Sequence, residues 1–180
     1  MGLVPGWGGC KEMITRWTTS GLLPKGPMPA PSKVFETVST ATVSKSAAQA
    51  QELLFLRPSD GITMNRYRLL ADAKARALKL AVDYVAPKPV DLKLPGAAGK
   101  LAFTMAAEGF HQRGMATDYD MVVSAALADV LSGGPADLVD VVTEDQLLDL
   151  ERKTFLQLIK TPGTLARIEH MLVTGKPLRN

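Results

Sequence analysis

The sequence predicts a mainly α-helical chain, and three observations carry that prediction. Ala and Leu dominate the 46% of hydrophobic residues while aromatics reach only 6% of the 180 positions, a composition that favours helices. Helix start and stop signals recur along the whole length. Alternating strand patterns are nearly absent.

The elements follow in order. A glycine-rich turn feeds a first helix from Cys10 to about Thr19, ended by Ser20-Gly21. A loop holding Pro24, Gly26, Pro27, Pro29 and Pro31 comes next, where proline fixes φ and removes donors. Ser32 is read as the cap of a short helix, about Lys33 to Thr40, and Ser44 or Ser46 as the cap of another, Ala47 to about Leu54. Ile62-Thr-Met64 reads as a short extended piece. Asn65 caps the clearest helix, Arg66 to about Val85, in which Leu70, Ala73, Ala77, Ala81 and Tyr84 recur at helical spacing. Pro87, Pro89 and Pro95 read as a linker, which places a boundary between residues 1–86 and 87–180. Beyond it, one helix runs from Gly96 to about Gln112. Thr117 caps the next, which runs to Leu131 and closes on Gly133-Gly134. Thr143 with Gln146 forms a capping box for a helix to Lys160, and Thr161-Pro162 starts the last, closed by Gly175.

Composition narrows the function classes. The net charge of +3 is spread along helices with Asp and Glu interspersed, and aromatics are sparse, which disfavours a nucleic-acid surface. One cysteine allows no internal disulfide and points to a reducing, cytoplasmic setting. Two histidines without Cys or carboxylate at ligand spacing argue against a metal site. No apolar run has the length of a membrane span, and the N-terminus lacks the pattern of a signal peptide.

The most informative segment is Met1-Gly-Leu-Val-Pro-Gly-Trp-Gly-Gly9. Glycines let backbone N–H groups approach a ligand or an ordered water. The helix that follows offers unpaired N–H groups that favour negative charge. Pro5, Gly6, Trp7, Gly8 and Gly9 are therefore the candidate site, a turn whose backbone can approach a ligand or an ordered water. Cys10, at a helix N-terminus where thiol pKa falls, reads either as an activated thiol or as a small packing residue. Glu12 reads as complementing the helix dipole, and Trp7 and Trp17 as covers for apolar surface. His111 and His170 have no obvious partner, and Asp118 and Asp120 read as a helix N-terminal charge pattern. Lys176 and Arg179 read as a solvated tail, with a phosphate contact as the sharper alternative.

Gly2-Leu-Val-Pro-Gly-Trp-Gly-Gly-Cys-Lys-Glu-Met13 resembles the loop and helix that follow the second catalytic glutamate of the crotonase (enoyl-CoA hydratase/isomerase) superfamily. Val43–Leu56 is similar to the next segment of that superfamily, with Leu54 where glycine is usual, and the helix from Arg66 matches the one after it. Asp118-Tyr-Asp120, Val130–Gly134, Leu147–Arg152 and Arg167–Asn180 resemble the C-terminal end of long bacterial 3-hydroxyacyl-CoA dehydrogenases. The resemblance implies the C-terminal part of a crotonase-like (ClpP/crotonase) domain lacking most of its β-sheet core, over residues 1–86, joined to a helical extension over 87–180. It implies a share in fatty-acid β-oxidation, acyl-CoA as substrate, NAD as cofactor of the full-length protein and a homo-oligomer.

In that family two backbone N–H groups form an oxyanion hole and two glutamates act as general base and acid. Gly6 matches the glycine whose N–H holds the catalytic water, and the resemblance implies Pro5, Trp7, Gly8 and Gly9 as substrate contacts around it. The glutamate expected eight residues earlier, the second glutamate and both oxyanion donors match positions upstream of Met1. No strand–GxGxxG–helix is present, so no NAD binding is expected of this chain itself. Met1 stands where the family commonly has Val, which fits a start assigned inside a longer reading frame. The expectation is a chain silent by itself, without its own cofactor. The alternative reading is a non-catalytic helical assembly or regulatory module.

Overall fold

The computed structural model describes residues 2–180; Met1, the position of the expected internal start, lies outside them. The described residues form eight α-helices: α1 (Gly9–Thr19), α2 (Pro29–Ser39), α3 (Ala47–Glu52), α4 (Leu69–Ala81), α5 (Gly96–Gln112), α6 (Asp118–Ser132), α7 (Glu144–Leu158) and α8 (Pro162–Thr174). A single 3-10 turn, Arg66–Arg68, precedes α4. The chain is mainly α, as the composition predicts. Among the described residues the β pairing is one antiparallel bridge between Leu92 and Val142.

Two compact units emerge: Met1–Thr42 with Val90–Asn180, and Val43–Pro89. In the first, α6 is the central helix, packing against α5, α2, α7 and α1. Val34, Leu127, Ala128, Val130, Leu131 and Leu147 are fully buried there. Phe35 of α2 stacks on Phe103 of α5 with ring centroids 4.9 Å apart and planes 12° from parallel, an offset geometry that rings favour.

Local signals set most helix ends. Thr117 and Thr143 each accept a bond from the amide three residues on, and Asp120 and Gln146 return one, so both capping boxes form. Thr161 caps α8 ahead of Pro162, and Gly133 and Gly175 close α6 and α8 in the left-handed conformation. α2 starts a turn earlier than expected. Pro29 occupies its first turn, where the missing N–H costs nothing, and Ser32 lies inside the helix. The expected linker is partly core: Leu92 and Leu94 are buried beside Pro95, and Leu92 exchanges two backbone bonds with Val142 at 2.8 and 3.0 Å.

The Val43–Pro89 unit holds α3, capped by the Ser46 side chain, and α4. The expected helix from Arg66 is shorter. Asn65 accepts from the Tyr67 amide, which tightens the entry into a 3-10 turn, and Asp83 at φ 54 lies beyond the end at Ala81. Ile62-Thr-Met64 joins no strand. No residue of α4 is buried, and Leu70 and Tyr84 are exposed. Leu54, the residue in place of a usual glycine, has φ 55 and a buried side chain. An L-residue in that region is strained by about 1–2 kcal/mol, so a glycine preference at this position has a backbone cause.

Candidate functional site

The glycine turn is built against α7. Gly8 precedes α1 at φ 88, a left-handed conformation in which glycine carries no Cβ penalty. A Cβ on Gly6 would lie 2.5–2.7 Å from carbons of the Phe155 side chain, and one on Gly8 3.3 Å from Leu148. Leu148, Glu151 and Phe155 stand three and four residues apart, so they share one face of α7.

Glu151 is the organising side chain. It is fully buried, and its two carboxylate oxygens accept from the Gly8 amide at 2.7 Å and the Lys11 amide at 2.6 Å. The negative charge that the first turn of α1 favours is thus supplied from within, by a residue 140 positions downstream of Lys11. Burial pushes the Glu151 carboxyl above its ordinary range; the Lys11 and Gly8 amides, the Lys11 charge and the Cys10 amide partly offset this. Glu12, expected in the dipole-complementing role, does stand in the first turn of α1, where it also accepts from Arg16 Nε at 2.8 Å. Lys11 Nζ lies 3.7 Å from Glu144 and 3.5 Å from Glu12.

Cys10 is buried, with Sγ 4.0 Å from the Pro5 carbonyl. Burial, and then the negative charge of Glu151, push its thiol well above the ordinary range. The activated-thiol reading fails for that reason, and Cys10 is a packing residue.

The predicted site residues separate in the structure. Pro5, Gly6, Gly8 and Gly9 are half-buried in the turn, and a Cβ on Gly9 would collide with Pro5. The Gly6 amide has no hydrogen-bond partner among the described residues. Trp7 is 97% exposed at the tip, a correction to its expected role as a cover; flanking glycines leave it nothing to pack against. Trp17 is buried as expected. A cleft of about 610 Å³ lies elsewhere, between the α6–α7 connection and α7, lined by Pro135, Val141, Gln146, Leu150 and Lys153 among others.

A second polar cluster ties α6 to α8. Arg167, largely buried, donates to Asp120 at 2.8 Å, Thr117 at 3.1 Å and Asn180 at 2.7 Å. Tyr119 bonds to Thr161 and Thr164, and Thr164 donates to the Gly2 carbonyl at 2.6 Å. Burial raises the Asp120 carboxyl, but the Thr117 amide, Arg167 and the Thr117 hydroxyl outweigh it and hold the group below its usual range. Asp120 therefore has a structural partner beyond its cap. His111, expected to lack one, lies 2.8 Å from Asp118, and Arg179 donates to the Met115 carbonyl at 3.0 Å. Among the described residues, no group of three or more His, Cys, Asp or Glu side chains stands ready for a metal, and no helix is long and apolar enough to cross a membrane.

Glu151 is the residue at this turn that sequence reasoning does not single out. One signal was present: it sits on the same helical stripe as Leu147, Thr154 and Leu158, all buried. A carboxylate on an apolar stripe calls for donors.

No family model matches the chain, and no solved structure matches it. Over an alignment of 181 residues covering 100% of the chain, it is 39% identical to the C-terminal part of a Bacillus subtilis (strain 168) protein named "Probable 3-hydroxyacyl-CoA dehydrogenase". The chain spans 23% of that relative's length.

Proposed function

We propose that the chain is the C-terminal portion of a fatty-acid β-oxidation enzyme acting on acyl-CoA thioesters. Residues 1–86 close a crotonase-like enoyl-CoA hydratase part, and residues 87–180 form its helical extension. The observation that carries this reading is the 39% identity to the protein named "Probable 3-hydroxyacyl-CoA dehydrogenase", sustained over the whole chain. The unpartnered Gly6 amide supports it, because a water-holding N–H must be free of protein acceptors. Gly6 positions the water, and Pro5, Trp7, Gly8 and Gly9 shape the substrate side of the turn. The general base, the general acid and the oxyanion donors come from residues outside this chain, so the chain by itself does not turn over. NAD serves the full-length enzyme; no strand–GxGxxG–helix stands among the described residues. A cytoplasmic homo-oligomer completes the reading.

The test starts from native size. An antibody against the last fifteen or so residues, a length chosen only as an epitope, is expected to detect one band far above 19.3 kDa in source cells. The purified long protein is expected to hydrate a trans-2-enoyl-CoA. A band at 19.3 kDa together with no acyl-CoA binding overturns the proposal. The exposed apolar residues of α4, Leu70 and Leu78 among them, favour a second reading, a helical assembly module, which that outcome would select.

A further inference from the structure

We infer that Glu151 is a positioning residue for the Gly6 turn: from α7 it holds the backbone that aims the Gly6 amide, without touching substrate itself. This deepens the proposed hydratase reading and rests on it for the reaction, though not for the geometry.

The argument starts from the turn's own weakness. Three of its five residues, Gly6, Gly8 and Gly9, are glycines, and glycine loses the most backbone entropy on ordering. Such a segment has many accessible conformers and few side chains to select one. The selection comes from α7, which meets the turn at three places. Phe155 fills the space where a Gly6 Cβ would be, Leu148 packs at Gly8, and Glu151 takes the Gly8 and Lys11 amides on separate oxygens. A two-point carboxylate grip fixes both distance and direction, as one oxygen could not. The bonds bracket the junction between turn and α1, so they set where the helix begins and which way the preceding amides face. The Gly6 amide makes no bond to any described residue, so its direction follows from its neighbours alone.

The grip is also difficult to replace. Glu151 is fully buried and the Gly8 and Lys11 residues are half-buried, so losing its carboxylate leaves both donors without an acceptor in a partly enclosed site. Misplacement of a reacting group by about 1 Å can cost about a hundredfold in rate, which makes a remote clamp consequential.

Glu151→Gln is the first variant, because it keeps volume and one acceptor oxygen while removing the two-point grip. Glu151→Asp is the second, retaining charge at a shorter reach. In the 180-residue chain, amide NMR is expected to show the Gly6 resonance displaced in both variants, although Gly6 does not touch residue 151. Exchange at Gly8 and Lys11 is expected to quicken by about tenfold or more as the hydrogen bonds loosen. In the long protein, kcat is expected to fall about tenfold or more, with KM within about twofold, at a temperature where circular dichroism shows the variants folded. A general stability role would not produce that split in a folded variant. An unmoved Gly6 resonance overturns the inference, as does unchanged kcat in an active long protein. A wild-type long protein that hydrates no enoyl-CoA overturns the hydratase reading instead, and the Gly6 resonance then decides the positioning claim alone.

Discussion

At Gly6 the limit on the side chain is steric. Any Cβ there meets the Phe155 side chain at 2.5–2.7 Å, and Phe155 is anchored on α7. Gly6→Ala is therefore expected to destabilise the fold by about 1–3 kcal/mol, read by urea unfolding. Adding Phe155→Ala should recover part of that loss, since it opens the occupied space; a double variant no more stable than the additive sum refutes the clash. The residue scale is also where sequence reading reached least far. Gly6, Gly8 and Gly9 were legible as a turn because glycine's freedom is intrinsic. Glu151 was not, because its partners lie 140 and 143 positions away and no local pattern records them. Trp7 misled for the opposite reason: its chemistry favours burial, and the turn gives it no surface to cover.

At the scale of elements, helix starts were legible because capping is local. Thr117 and Thr143 act within three residues of themselves, and both were placed correctly. Thr143→Ala is expected to cost about 1 kcal/mol of stability by the same unfolding measurement. A change under a few tenths would show that the Gln146 return bond alone holds the end. The α6–α8 connection carries a pH signature. Asp120 sits below its ordinary range, so its contribution is fully present above the ordinary aspartate pKa, about 4, and is lost as pH falls through its depressed folded value. Glu151 has the opposite sign: its raised value makes the fold gain stability as pH falls from that value towards the ordinary glutamate range. Asp120→Asn should flatten the most acidic limb of a stability-against-pH curve, and Glu151→Gln the limb above it. Parallel curves for wild type and both variants would contradict these assignments.

At the scale of the whole molecule, the chain is interrupted in sequence. Residues 43–89 form one compact unit between the two halves of the other. That unit has few buried side chains, Ala50 and Leu54 among them, while Leu69, Leu70, Leu78, Leu80, Tyr84 and Val85 are exposed. It should open most easily. Limited proteolysis is expected to cut first within residues 43–89 and leave the remaining segments associated, and the dye ANS should bind the uncut chain strongly. A single cooperative unfolding transition with little ANS signal would show this surface to be covered. The boundary expected between residues 86 and 87 falls near the end of this unit, at Pro89. The packing of the first 42 residues with the C-terminal helices had no local signature.

The Glu151 grip has a consequence for synthesis. The ribosome makes the glycine turn first and its clamp more than a hundred residues later. At ordinary elongation rates, α1 and α2 wait on the order of ten seconds for α7 to emerge. During that interval the amides of Gly8 and Lys11 lack their buried carboxylate, and Ile14 and Val34 lack the core that covers them. Residues 9–39 thus emerge well before the α7 residues that complete their packing, and the turn acquires its final shape only once α7 is made.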